Sequence, residues 1–242
     1  MDTTKQKQYR VLSLVMVGLL LISMYIVGRE TGRYVASMRV EVQRAKPCVV
    51  IDAGHGGMDP GKVGINGALE KDVNLQIALQ VKEFLEANDV RVIMTRETDD
   101  GLYEEGDSNK KVRDMKRRVE LIEEENPIIA VSIHQNSYPE EAVHGAQVFY
   151  YSGSSEGQLL AEEIQSQLVE KVDPANKRRV KANDSYYLLK KAPCPIVIVE
   201  CGFLSNREEA DRLCTPEYQE KLAWSIHMGI LRHLNGRNLL FF

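Results

Sequence analysis

Apolar residues recur along most of the chain in two patterns: short continuous runs, and positions spaced three or four residues apart. Short runs are typical of buried strands, and spaced positions are typical of helices with one apolar face. The runs predict strands over Cys48–Asp52, Val90–Thr95, Ile128–Ile133, Ala146–Tyr151 and Pro195–Val199. The spaced positions predict helices over Lys71–Asn88, Lys110–Glu125 and Gln158–Val172, a short helix capped by Ser205 and Glu208, and a last helix opening at Thr215-Pro216. This alternation predicts a single three-layer α/β domain, with a mostly parallel twisted sheet and helices on both faces.

The N-terminal segment follows neither pattern. Residues 11–28 contain no charged side chain, and as a helix they span about 27 Å, close to the roughly 30 Å hydrocarbon core of a bilayer. Because Lys5, Lys7 and Arg10 precede this segment, the tail of residues 1–10 is expected to stay in the cytoplasm. We interpret the segment as an uncleaved membrane anchor. A cleaved signal peptide and a buried core helix are the alternatives.

The remainder of the chain divides into a linker, a domain and a tail. Residues 29–46 are polar and charged and are expected to form a linker next to the membrane. Residues 47–235 hold all the predicted strands and are expected to form one catalytic domain, followed by a tail over residues 236–242. The sequence therefore predicts a membrane-anchored or secreted protein whose catalytic domain lies outside the cytoplasm.

The charge balance argues against nucleic acid as a partner. The chain holds 31 basic and 35 acidic residues, for a net charge of −4. Residues 1–28 hold three of the basic and one of the acidic residues, so the remainder carries a net charge of −6. A nucleic-acid-binding domain needs a basic face or stripe. An acidic exported domain is not expected to bind an anionic polymer by charge.

Three predicted strands end in side chains that bind metals or move protons. His55 follows the first strand between glycines, His134 follows the third strand, and Glu200 follows the last. Sites in open α/β sheets lie at the carboxyl ends of the strands, so these side chains are expected to meet. Glu70, at the start of the first domain helix, is a fourth candidate. Two imidazoles and one carboxylate suit a hydrolytic zinc with an open position, and the remaining carboxylate can serve as a base.

Single residues of this set are less informative than the combination. A lone histidine at a strand end is usually structural, and a glutamate in a first helical turn is favoured by the helix dipole. Asp52 lies three residues before His55, and two roles stay open for it: orienting the imidazole, or capping the loop. Spacing alone thus predicts a metallohydrolase that acts outside the membrane.

Five motifs make the interpretation more specific. In chain order they are IDAGHGGMDPGKVG, LEKDVNL, MTRETD, VSIHQNS and VIVECGFLSN. This series, from about Pro47 to Leu234, resembles the zinc-dependent N-acetylmuramoyl-L-alanine amidases of the Amidase_3 type. The resemblance implies a peptidoglycan substrate and hydrolysis of the amide between the lactyl group of N-acetylmuramic acid and the first L-alanine of the stem peptide.

The same resemblance implies roles for individual residues. One Zn²⁺ ion is expected to be held by His55, Glu70 and His134, with Glu200 as the catalytic carboxylate. Two further residues lie inside family motifs and are secondary candidates for lining the cleft, namely Arg96 and Asn136.

The domain layout is similar to that of germination-specific members of the family in endospore formers. Between the His134 motif and the next strand lie eight residues, Ser137–His144, too few for an inhibitory helix, and no wall-binding module follows. This resemblance implies work in spore cortex maturation, in the forespore intermembrane space. There, stem-peptide removal prepares muramic acid for conversion to the muramic-δ-lactam needed for germination. The alternatives are a zinc peptidase acting on wall peptides, a wall-binding module without catalysis, and an amidase that needs a protein activator.

Overall fold

The computed structural model describes residues 3–41 and 46–239, which fall into two units, Met1–Ala45 and Lys46–Phe242. The first unit contains one helix, α1 (Thr3–Glu41). Its stretch Tyr9–Tyr34 is long and apolar enough to cross a membrane, with a mean hydropathy of 2.5 and no buried part. The helix continues through most of the segment expected to be a linker, and residues 42–45 lie outside the described residues.

The second unit is built on a six-stranded sheet in the order β2-β1-β3-β6-β4-β5. Its strands are β1 (Cys48–Ala53), β2 (Arg91–Met94), β3 (Ile129–Asn136), β4 (Gln147–Tyr150), β5 (Lys181–Ala182) and β6 (Ile196–Phe203). Every neighbouring pair is parallel except β4 and β6, which are antiparallel. The mostly parallel sheet is therefore confirmed. The short strand β5 was not predicted, because its two residues are exposed and form no apolar run.

Helices follow the strands in the alternation that the sequence predicts. They are α2 (Glu70–Glu86), α3 (Lys110–Glu125), α4 (Ser155–Gln167), α5 (Tyr187–Lys191), α6 (Arg207–Leu213) and α7 (Pro216–Leu239). A π-helical turn over Leu168–Val172 continues α4. Helix α5 is too short to show an apolar period and was not predicted. Helix α7 extends into the expected C-terminal tail, and residues 240–242 lie outside the described residues.

The two faces of the sheet are covered by different helices, as the three-layer prediction requires. Alternate residues of the central strands pack on opposite sides: Val49 and Ile51 belong to the larger apolar cluster, and Val50 belongs to the smaller one. Helices α2, α4 and α7 contribute to the larger cluster, and α3 and α5 contribute to the smaller one. Both faces of the strands are thus buried, which explains why their sequences are continuous apolar runs.

The predicted cap of helix α6 is wrong by one residue. The N-cap is Asn206, whose side-chain oxygen accepts a hydrogen bond from the backbone N–H of Glu209 at 2.8 Å. The Ser205 hydroxyl oxygen accepts instead from the backbone N–H of Tyr138 at 2.9 Å. Serine and asparagine are equally good caps, so the sequence does not decide which of these two adjacent residues caps the helix. The contact that Ser205 makes elsewhere in the fold leaves Asn206 as the cap.

Candidate metal centre

The four residues predicted at the ends of elements come together at the carboxyl edge of the sheet. His55 follows β1, His134 lies in β3 and Glu200 in β6, and the parallel register pairs His134 with Glu200. Glu70 is the first residue of α2. Ligand atoms of His55, Glu70 and His134 all lie within 4.8 Å of one another.

Glu70 occupies the middle of this group. Its Oε1 atom lies 3.2 Å from His55 Nε2 and 3.0 Å from His134 Nδ1. Its Oε2 atom accepts from the backbone N–H of Lys62 at 2.8 Å, which fixes the carboxylate. Burial acts to raise the pKa of Glu70, but hydrogen bonds from the two histidines outweigh burial and hold that pKa well below its usual range. Two imidazole nitrogens and one charged carboxylate fit a zinc ion, and such a set leaves a position open.

The loop that carries His55 has an unusual backbone. His55 itself has a φ of +62°, in the left-handed region that non-glycine residues rarely adopt. At Gly54, a Cβ atom would lie 2.3 Å from the His134 ring, so only glycine allows the two histidines to approach each other. The two imidazole rings meet edge-on with centroids 5.0 Å apart.

The orientation of the His55 ring is set by Asp59. Asp59 Oδ2 lies 2.9 Å from His55 Nδ1, which leaves Nε2 facing Glu70. A carboxylate on the second ring nitrogen is the usual arrangement for a ligating histidine. The sequence left two roles open for Asp52. The structure shows that Asp59, and not Asp52, orients the imidazole.

Asp52 belongs to a buried ionic network beneath the His55 loop. Arg118 Nη1 donates to Asp52 Oδ1 at 2.5 Å, and the Ser132 hydroxyl donates to the other carboxylate oxygen. Burial acts to raise the pKa of Asp52, but the Arg118 charge and the Ser132 hydrogen bond lower it to about 2. Arg118 Nη2 also donates to the backbone carbonyl of His55 at 2.7 Å. The network thus supports the loop rather than the ring.

Glu200 has the environment of a proton acceptor. Its Oε1 atom lies 3.5 Å from the Tyr186 hydroxyl, and its Oε2 atom is buried with no hydrogen-bond partner within the described part of the chain. Burial raises the pKa of Glu200 to about 7, the nearby His134 lowers it in part, and the charge of Glu70 adds to the rise. A carboxylate with a pKa near neutrality is suited to general base and general acid steps.

A cavity of about 130 Å³ opens over this group. It reaches His55, His134 and Glu200 at its base, and one wall is apolar and aromatic, formed by Met115, Tyr186, Tyr187, Leu188 and Ile198. Charged residues also line the cavity, among them Lys111, which is paired to Asp59 at 3.1 Å. The cavity thus gives solvent and small groups access to the candidate metal ligands and to Glu200.

The secondary candidates Arg96 and Asn136 are not among the described residues that line the cavity. Arg96 is buried and donates to the backbone carbonyls of Ala53 at 2.9 Å and Gly54 at 3.0 Å. The Asn136 side-chain oxygen accepts from the backbone N–H of Ser137 at 2.8 Å. Arg96 therefore holds the loop that carries His55, and a place for Arg96 or Asn136 in the substrate cleft stays a prediction.

Comparison with known proteins shows the family to which the domain belongs. The profile of the Amidase_3 family, described as N-acetylmuramoyl-L-alanine amidase, matches residues 49–232. The chain belongs to this family. It is therefore an N-acetylmuramoyl-L-alanine amidase, and the resemblance carried by the five motifs is confirmed.

Individual relatives agree in sequence and in fold. The chain is 40% identical over 192 residues to the germination-specific N-acetylmuramoyl-L-alanine amidase of Bacillus subtilis strain 168, covering 78% of this chain and 80% of the relative. It is similar to the CwlD amidase of Clostridioides difficile, solved in complex with the GerS lipoprotein, at 40% identity, a TM-score of 0.77 and coverage of 78% and 99%. A second N-acetylmuramoyl-L-alanine amidase, from Clostridium difficile 630, matches at 29% identity and a TM-score of 0.70, covering 78% of this chain and 97% of the other.

Proposed function

We propose that this amidase is a zinc hydrolase in which His55, Glu70 and His134 hold the metal and Glu200 is the catalytic residue. The bond cleaved joins N-acetylmuramic acid to the L-alanine of peptidoglycan stem peptides. The observation that carries these assignments is the placement of a buried Glu200 oxygen, which has no partner among residues 3–41 and 46–239, beside three side chains that could hold a metal. Imidazole and carboxylate ligands together favour zinc over magnesium or calcium.

The residues of the chain then have distinct tasks in the reaction. The ion, when bound, supplies Lewis-acid polarisation of the scissile carbonyl and acidifies the attacking water. Glu200 accepts a proton from that water as the C–O bond forms. It then passes the proton to the nitrogen of L-alanine as the amide C–N bond breaks, so that the amine leaves neutral. A pKa near 7 suits Glu200 to both proton transfers.

The test uses the detergent-solubilised full chain, alone and with a lipoprotein activator added, with zinc analysis and mass spectrometry of digested peptidoglycan. The wild type should release stem peptides that begin with a free L-alanine amine. Glu200→Gln should lower the rate by ~100-fold or more and keep zinc bound, because only the base is removed. Glu220→Gln, which makes the same change at an exposed position of α7, should leave both unchanged. Near-normal turnover by Glu200→Gln would remove Glu200 from the mechanism.

The ligand assignment has its own measurement. His134→Ala should lose zinc and activity together, because two ligands and a water hold the ion less tightly than three. Loss of activity with full zinc occupancy would show that the ligand set is different.

The same digests separate the two alternative functions. A zinc peptidase would cut between amino acids and leave the muramyl link intact. A wall-binding module would bind peptidoglycan and release no peptide. Either result would contradict the amidase mechanism.

We further propose a role in spore cortex maturation and germination. The support is the similarity to a relative named as germination-specific. Removal of the stem peptide leaves the lactyl carboxyl group of muramic acid free to form the muramic-δ-lactam. Spores that lack the protein should lack muramic-δ-lactam and germinate poorly, while vegetative growth is unaffected. Normal muramic-δ-lactam in these spores would contradict the cortex role and leave the amidase assignment in place.

The proposed location follows from the N-terminal helix. The stretch Tyr9–Tyr34 is taken as an uncleaved anchor, with the catalytic domain, residues 47–235, outside the cytoplasm and in the forespore intermembrane space. Intact-mass measurement of the membrane-extracted protein distinguishes an anchor from a cleaved signal peptide, since cleavage removes the N-terminal residues.

A protein activator is the last part of the proposal. Its support is that the CwlD amidase of Clostridioides difficile was solved in complex with a lipoprotein. Zinc-loaded chain that releases peptides only when such a lipoprotein is added would support an activator. Full activity of the chain alone would contradict it.

A further inference from the structure

We infer that Tyr186 is a positioning residue for Glu200: its hydroxyl group holds one carboxylate oxygen and so fixes the orientation of the carboxylate that takes the proton of the attacking water. This inference rests on the proposed role of Glu200. It concerns a residue that belongs to none of the five family motifs.

The hydrogen bonds of Glu200 make it depend on Tyr186. The Tyr186 hydroxyl, 3.5 Å from Oε1, is the one side-chain partner of the Glu200 carboxylate within residues 3–41 and 46–239. The other oxygen, Oε2, has no partner there although it is buried. A buried charged carboxylate is costly unless donors compensate it, so the loss of its single donor has a large effect.

Tyr186 acts as the donor in this pair whenever Glu200 is charged. Burial and the charge of Glu200 raise the pKa of Tyr186 to about 12. The phenol therefore keeps its proton at any pH at which the enzyme works, and it presents an O–H group to the carboxylate. Such a bond favours the charged form of Glu200, which is the form that accepts a proton.

The fold places the phenol independently of Glu200. Tyr186 is the residue just before helix α5, and its backbone N–H donates to the side-chain oxygen of Asn183 at 2.9 Å. Its ring meets Phe149 edge-on, with centroids 5.8 Å apart and an angle of 78°. The next two residues of α5 that face the sheet, Leu188 and Leu189, are buried in the smaller apolar cluster. A hydroxyl fixed in this way can fix the rotation of the carboxylate it contacts.

The position of the Tyr186 hydroxyl also fits the proposed reaction. Tyr186 lines the same cavity as His55, His134 and Glu200. The contact between Tyr186 and Glu200 therefore lies beside the candidate metal ligands. A distance of 3.5 Å is at the long end for a hydrogen bond, and such contacts commonly shorten when a substrate closes the site.

The test compares Tyr186→Phe with the wild type, as detergent-solubilised full chains loaded with zinc. The change removes one hydroxyl and keeps the ring packed on Phe149. We expect kcat to fall by about 10- to 100-fold, the loss typical of one hydrogen bond to a charged group, with KM, zinc content and melting temperature little changed. Tyr151→Phe is the matched control, because Tyr151 packs on the same apolar cluster and has no contact with Glu200 among those described. It should leave kcat unchanged.

A double-variant cycle then asks whether the effect passes through Glu200. In a Glu200→Gln background, measured over long digests, Tyr186→Phe should cause little further loss, because the carboxylate that it positions is gone. Three results would overturn the inference: an unchanged kcat in Tyr186→Phe, a raised KM with unchanged kcat, or a further ~10-fold loss in the Glu200→Gln background. The last two would make Tyr186 a substrate contact.

The wild-type digest in the same experiment tests the proposed function separately. Zinc-loaded wild type that releases no stem peptides, either alone or with the lipoprotein activator added, contradicts the proposed function and the inference with it. Active wild type with a fully active Tyr186→Phe variant contradicts the inference alone.

Discussion

Replacing Arg118 with methionine should destabilise the catalytic domain more than any exposed arginine replacement. Arg118 is 1% exposed, and its guanidinium donates to two carboxylates and to backbone carbonyls of the His55 loop. Methionine fills similar space and offers no donor. The variant therefore leaves the Asp52 carboxylate in the interior without its positive partner.

The expected magnitude follows from that unpaired charge. Removing one member of a buried ion pair lowers the free energy of unfolding by about 3–5 kcal/mol. For a domain of this size, each kcal/mol corresponds to roughly 2–4 °C, so the melting temperature should fall by roughly 6–20 °C. Arg113→Met, on the exposed side of the same helix, should change the free energy of unfolding by less than about 0.5 kcal/mol.

The pH dependence of this difference identifies its cause. In the wild type the pKa of Asp52 is about 2, below its ordinary value of 3.8, so its stabilisation is present above pH 3.8 and is lost as the pH falls through 2. Without Arg118, burial raises the pKa of Asp52 and the carboxyl group takes up a proton at milder pH. The stability gap between wild type and Arg118→Met should therefore narrow as the pH falls from 7 towards 4.

Thermal unfolding, followed through the fluorescence of the single tryptophan, Trp224, measures this gap. Adding Asp52→Asn to Arg118→Met should restore part of the stability at pH 7, because the unpaired charge is then gone. A gap that stays constant between pH 7 and pH 4, or a double variant less stable than Arg118→Met, would refute the ion-pair explanation.

Two further changes give simpler readings. Asp59→Asn should weaken zinc binding by about 10- to 100-fold, because the carboxylate that orients His55 is lost. Competition with a chelator measures the affinity for zinc, and an unchanged affinity would show that Asp59 is dispensable. Deleting residues 1–28 should give a protein that stays soluble without detergent and keeps its activity, because the unit Lys46–Phe242 holds both apolar clusters. A product that aggregates or fails to unfold cooperatively would show that the deleted segment supports the domain.

The sequence marks three of the four candidate site residues by their place at the end of a strand, whereas Glu70 is informative only in combination with them. His134 and Glu200 follow short apolar runs that are typical of buried strands, and parallel neighbours bring their ends to one edge. His55 is marked by the glycines around it, which permit the tight approach seen at Gly54. Local pattern and the general rule for open sheets were sufficient to predict that these residues meet.

The residues that support the site carry no such mark. Arg118 lies three residues after Met115 and four before Ile122, on the apolar face of its helix, but that spacing does not indicate which carboxylate it meets. Tyr186 precedes a helix of five residues that has no detectable period. Asp59 was visible inside the first motif, yet Asp52 in the same motif was an equally good partner for His55. Each of these roles depends on a contact that the sequence does not indicate. Either the two residues are far apart in the chain, or two residues of the same type could make the same contact.

The supporting residues account for a backbone conformation that the sequence would not favour. His55 has a φ of +62°, and a non-glycine residue keeps such a conformation only where its surroundings fix it. Arg118 donates to the carbonyls of Ala53 and His55, and Arg96 donates to those of Ala53 and Gly54, so three successive carbonyls are held by two buried guanidinium groups. Asp59 fixes the ring from the other side. The imidazole is therefore in place before any metal binds, and the strain of the loop is balanced by the same buried arginines whose loss should destabilise the domain.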